Sequence, residues 1–166
     1  GAGDPVAYYA FDEGQGSQTT EAVSGRSLTI QNVFSEANQA NLMKPASDPL
    51  WREGVKGNCL YMDGISNYIQ DDSFENIRTG SLTVSAWVAP RVFENNFNPE
   101  GMTCGRRGYG YLGTWWLKVA LEDPETGDVF TAAFYDPVNY LPLYEWSHVA
   151  ASYDAPSGRI CLYLNG

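Results

Sequence analysis

The sequence predicts an all-β protein, an antiparallel sandwich assembled from many short strands. Three observations carry this. Short runs with period-two alternation recur along the chain, a helical period of apolar residues is almost absent, and Gly, Asp, Asn and Pro separate the runs. Composition agrees, because 17 Gly and 9 Pro supply turns while 43% hydrophobic and 14% aromatic residues allow an ordered core in 166 residues.

The elements follow in order. "VAYYAFDEGQGS" reads as a strand running into a Gly-rich turn, and "AVSGRSLTIQNV" as a turn at Ser24-Gly25 followed by alternation at Leu28 and Ile30. Residues 35–53 are polar, carry Pro45 and Pro49, and read as a long surface connection. "GNCLYMDG" turns Leu60 and Met62 inward before a tight turn at Asp63-Gly64, and "SNYIQDD" continues as a second short strand. "DDSFENIRTG" has room for a helical turn.

"SLTVSAWVAP" is the clearest strand. Leu82, Val84, Ala86 and Val88 share one face, Thr83, Ser85 and Trp87 the other, and Pro90 ends the run. Residues 91–108 read as loop. "YGYLGTWWLKVALED", a turn in "PETGD" and "VFTAAFYD" come next, and after "PVNYLPLY" the final pair is "WSHVAASYD" and "GRICLYLNG". No internal repeat or second domain is visible, so residues 1–166 are expected to form one domain.

Charge and length exclude several functions. A net charge of -10 argues against nucleic acid, whose phosphates need clustered Lys and Arg, and against adsorption to anionic lipid. No apolar run approaches the ~20 residues of a membrane-spanning helix, so membrane insertion is not expected. Cys59, Cys104 and Cys161 match no zinc spacing. They read as small buried hydrophobes, with a Cys59–Cys161 bridge the pairing to consider because both fall in predicted strands.

The segments "YYAFDEGQGS", "GNCLYMDGISNYIQ", "SLTVSAWVAP" and "EWSHVAASYDAPSGRICLYLNG", in that order, resemble the laminin G-like branch of the concanavalin A-like lectin/glucanase superfamily. The last also resembles a hairpin of the pentraxins. The resemblance implies a jelly-roll sandwich of two curved antiparallel sheets. In such relatives the strand ending in "NG" is followed by further strands. The chain is therefore expected to be the N-terminal portion of a larger domain or chain, lacking the C-terminal strands. The resemblance also has departures. Ala86 and Ala150 stand where pentraxins carry a disulfide, and Gly108 stands where they carry a calcium ligand.

Catalysis has no recognisable constellation. The E-x-D-x-x-E or E-x-D-x-E strand of glycoside hydrolases on this fold is missing, and Glu122, Asp123, Glu125 and Asp128 fall in a turn with Pro124 and Gly127. His148 is the single histidine, no G-x-S-x-G elbow accompanies it, and the resemblance makes it a structural strand residue. No cofactor is required. A structural calcium ion is considered at Asp12, with neighbouring Glu13, and at Asp63 and Asp154, although Asp in a turn is equally explained by local hydrogen bonds.

Sugar binding has the most physical support, because carbohydrate modules set flat aromatic faces against sugar C–H faces beside polar groups. Alternation puts Trp115 with Leu117 and Val119 toward the core, and Trp116 with Thr114, Lys118 and Ala120 on the opposite face. Arg106, Arg107, Tyr109, Tyr111 and Tyr140 join Trp116 as candidate ligand-binding residues near a loop mouth, whereas Trp87 and Trp146 read as packing. The expected function is a non-catalytic carbohydrate-binding module of a secreted or cell-surface protein. Its expected partners are a polysaccharide or glycan and a catalytic domain in the same chain. An extracellular, periplasmic or cell-surface location follows by resemblance. The rival readings are a protein-interaction or adhesion module and a structural accessory domain.

Overall fold

The computed structural model describes residues 3–32, 50–62, 67–74, 81–90, 101–109, 112–122, 126, 129–135 and 141–166, with backbone alone at 32, 50, 74, 101–109, 112–122 and 129–135. Among these residues the chain is all-β, with twelve strands, antiparallel pairing throughout and a single 3-10 turn at Asp72–Phe74. They gather into two compact units, residues 1–77 and 78–166.

In the first unit, β1 (Gln18–Glu21) pairs with β2 (Arg26–Thr29) in a hairpin that places Glu21 opposite Arg26. β1 is the element hardest to foresee, since its sequence is Gln-Thr-Thr-Glu and the residues it buries are Thr19 and Glu21. Their polar groups are satisfied internally: Thr19 Oγ1 donates to the Glu13 carboxylate at 3.1 Å, and Glu21 collects backbone donors from the turn. β2 keeps the predicted alternation, with Leu28 half-buried and Ile30 buried just beyond it.

The strand expected at "VAYYAF" does not form. Tyr9 makes an isolated bridge to Glu21, and Val6 is 79% exposed. The reason is local, because the Tyr8 N–H donates to the Glu21 carboxylate at 2.9 Å instead of to a neighbouring strand.

β3 (Gln31–Asn32) pairs with β6 (Asn67–Tyr68), and β4 (Leu50–Glu53) with β5 (Asn58–Tyr61). β4 corrects the reading of 35–53 as connection throughout. Its residues close a hairpin on β5, and the Trp51 indole N–H donates to the Gly16 carbonyl at 2.9 Å. Met62 was expected to point inward, yet it lies past the end of β5 and is 43% exposed. The Asp63-Gly64 turn lies outside the described residues.

The second unit contains two three-stranded sheets. One has the order β12–β11–β7, from β7 (Ser81–Val88), β11 (Ser147–Asp154) and β12 (Arg159–Leu164). The register puts Val149 between Ala86 and Leu164, so the apolar faces of three strands align. Val149 and Leu141 are buried, with Ala86, Val88, Leu162 and Leu164 packed around them. Full burial of a Val or Leu side chain, as at Val149 and Leu141, stabilises by about 1.5–3 kcal/mol. Cover thins toward the start of β7, where Leu82 is 37% and Val84 46% exposed.

The other sheet has the order β10–β9–β8, from β8 (Gly101–Tyr109), β9 (Leu112–Glu122) and β10 (Val129–Tyr135). β8 overturns the loop expected through residue 108. Its Gly and Arg content hid a strand whose backbone pairs with β9 from Gly101 to Tyr109. Cα atoms of β12 come within 8 Å of β9 and β10. Cys59 and Cys161 lie in β5 and β12, the strands in which the sequence expected them.

Candidate functional site

Most of the sugar-binding candidates fall on the β8–β9–β10 sheet, and the register sorts them. Cross-strand partners share a face, and residues two apart along a strand share it too. Trp116 sits opposite Gly105 on β8 and Tyr135 on β10. One step along, Thr114 sits opposite Arg107, and at the end of the ladder Leu112 sits opposite Tyr109. Trp116, Arg107, Tyr109 and Tyr135 therefore belong to one face, with Thr103 and Lys118 continuing it.

Arg106 sits opposite Trp115 and belongs to the other face, with Leu117, Val119 and Phe134. The two arginines expected to act together are thus separated by the pleat. Tyr135, which sequence reasoning missed, is brought in because β10 pairs with β9; the alternation of "VFTAAFY" alone says nothing about its register. Tyr111 and Tyr140 lie outside the described residues.

The carboxylates considered for calcium occupy turns. Asp12 Oδ1 accepts the Asn58 N–H at 2.6 Å, and its carbonyl accepts the Asn58 side-chain amide at 3.1 Å, which holds the N-terminal segment to the β4–β5 turn. Asp154 accepts the Ser157 hydroxyl at 2.5 Å in the turn after β11. Glu13 accepts from the Thr19 hydroxyl and from the Thr20 N–H. Each has the local partners a turn carboxylate needs, and among the described residues no three His, Cys, Asp or Glu gather as a metal site. Asp63 lies outside the described residues.

Among the described residues the strongest electrostatic feature belongs to the first unit, and the sequence does not announce it. The buried Glu21 carboxylate accepts the N–H groups of Tyr8, Val23 and Ser24 and the Ser24 hydroxyl, with the Arg26 guanidinium 3.7 Å away. Those donors, the Ser24 hydroxyl first and the Tyr8 amide second, pull its pKa down to about 2. Arg26 Nη2 also reaches Asp71 at 2.9 Å, and Asp71 accepts the hydroxyls of Tyr9 and Ser73.

The Ser73 hydroxyl, then that of Tyr9, holds Asp71 well below the usual carboxylate range. Burial, followed by the hydrogen bond to Asp71, raises Tyr9 to about 12. Each acid is committed to fixed donors, so the cluster acts as a clamp tying residues 8–9 and 71–73 to the β1–β2 hairpin.

On the β12–β11–β7 sheet, Trp87 and Trp146 were read as packing. Trp87 is 54% exposed because it falls on the face of β7 opposite Leu82, Val84, Ala86 and Val88, and Trp146, just before β11, is 37% exposed. His148 is a strand residue of β11, directly opposite Trp87. Comparison with family models, curated proteins and solved structures returns no match to this chain.

Proposed function

We propose that the chain is a non-catalytic carbohydrate-binding module, a jelly-roll sandwich of two curved sheets. It would belong to a larger secreted or cell-surface protein such as a glycoside hydrolase. One observation carries the reading: Trp116 shares a sheet face with Arg107, Tyr109 and Tyr135 and stands opposite Gly105. Glycine within a strand marks a place where a ligand can approach the backbone closely. Beside an aromatic residue it leaves room for a sugar ring, with Thr114, Thr103 and Lys118 as polar neighbours on that face.

The test is a polysaccharide and glycan array, run with calcium and again with EDTA, on the chain and its Trp116→Ala variant. Selective retention lost in the variant, with an unchanged melting temperature, supports the reading. A blank array on folded protein overturns it. Loss in EDTA would assign a structural calcium ion to the module.

A protein-contact role, as an adhesion module or an accessory domain packed on a catalytic neighbour, is the second reading. The exposure of Leu82 and Val84 on the apolar face of β7 favours it.

A further inference from the structure

The open face of the β12–β11–β7 sheet carries an aromatic arrangement that the Trp116 face does not account for. Across the strands, Trp87 stands opposite His148, with ring centroids 5.3 Å apart and planes tilted by 58°. Asn165 flanks His148 on the far side, donating its N–H to the His148 carbonyl at 2.8 Å and accepting the His148 N–H on Oδ1 at 2.9 Å. The next row is Ser85, Ala150 and Tyr163. Tyr163 is 43% exposed, while the two residues beside it are small. Trp87 and Tyr163 thus stand two strands apart and one row apart, roughly 12 Å between Cα atoms by strand spacing and rise. On the intervening strand, His148 and the buried, small Ala150 lie between them.

Such a surface is costly to leave in water and hard to explain as core, because the apolar side of these strands is the opposite one. Its chemistry points to one class of ligand. Planar rings at a two-sugar spacing match pyranose C–H faces, and Ser85, in the row of Tyr163 and next to Trp87 along β7, offers a hydroxyl at the edge of that path for sugar hydroxyls. The charged pair on this face, Asp154 opposite Arg159, stands at the far end beyond the row of Thr83, Ser152 and Cys161. The aromatic rows contain no carboxylate, Lys or Arg, so nothing there selects an acidic sugar.

We propose that Trp87, His148 and Tyr163 form a second saccharide subsite, specific for a neutral glycan chain. It rests on the glycan-binding reading above but uses a different sheet.

The experiment is an NMR titration of the 15N-labelled chain with the hexasaccharides of cellulose, mannan, xylan and laminarin, following the Trp87 indole N–H assigned from Trp87→Phe. Affinity electrophoresis in gels holding the matching polysaccharides accompanies it. The expected result is a saturable shift of the Trp87 signal with at least one neutral sugar. Trp87→Ala and Tyr163→Ala should each weaken retention about tenfold with unchanged dispersion of the amide spectrum, and Tyr163→Phe should retain binding.

If Trp116→Ala abolishes retention while both substitutions on this face leave it intact, the subsite is refuted and the module reading stands. Shifts with acidic glycans alone also refute it and leave that reading in place. No shift of the Trp87 signal with any glycan refutes the subsite alone, whereas no shift anywhere in the spectrum together with no retention in any gel overturns both. Self-association that Trp87→Ala abolishes without sugar would refute the subsite in favour of a protein contact.

Discussion

The Tyr9 hydroxyl donates to Asp71 Oδ2 across 62 residues of sequence, and the same oxygen takes Arg26 Nη2 at 2.9 Å. One carboxylate thereby joins the N-terminal segment, the β1–β2 hairpin and the turn after β6.

Acid should release that clamp. Glu21 and Asp71 have folded-state pKa values below their ordinary ones, so their contribution is fully present above the unfolded values and is lost as pH falls through the folded ones. Thermal unfolding should show stability declining from about pH 5 toward pH 2. Glu21→Gln should flatten part of that decline and lower the melting temperature at pH 7.

Tyr9 gives the complementary alkaline limb. Its folded pKa of about 12 exceeds the ordinary 10.0, so the neutral phenol stabilises fully below pH 10 and the effect fades as pH rises toward 12. Tyr9→Phe should remove this limb, and an absorbance titration of the phenolate should show one late-titrating tyrosine lost in that variant.

Gly57 meets two constraints. Its φ is +70°, and an added Cβ would lie 2.1 Å from Asp12 Oδ1, which the Asn58 N–H needs. Gly158 has φ +65° with open space around it. Gly158→Ala should cost about 1–2 kcal/mol from backbone strain alone, and Gly57→Ala more than that. Denaturant melts of Gly57→Ala, Asp12→Ala and the double variant should show non-additivity, because Asp12→Ala removes the clash.

Leu141 is, with Val149, a buried core side chain of the second unit. It is 2% exposed and packs on Val149, so Leu141→Ala should destabilise by about 2–5 kcal/mol in equilibrium denaturation. Leu82→Ala, at a position 37% exposed, should cost far less.

Much of this was legible in the sequence where periodicity met an apolar core. β7 ends before Pro90 as its alternation required, β11 and β12 form the expected hairpin, and the opposition of Trp115 to Trp116 follows from the pleat that any strand must have. What resisted reading was polar burial and register. A Gln-Thr-Thr-Glu segment has no hydrophobic signal, and it becomes a strand because Glu21 finds its donors in the turn beside it.

The sequence by itself determined the class, many short antiparallel strands, because alternation and turn chemistry are local properties that neighbouring residues settle among themselves. Only the tertiary structure decided which residues keep company. Arg107 joins Trp116 while Arg106 does not, Tyr135 enters their face, and Trp87 stands exposed beside His148. Those relationships depend on strand pairing, where a shift of one residue exchanges the two faces of a sheet, and pairing is settled by contacts between segments far apart in the chain.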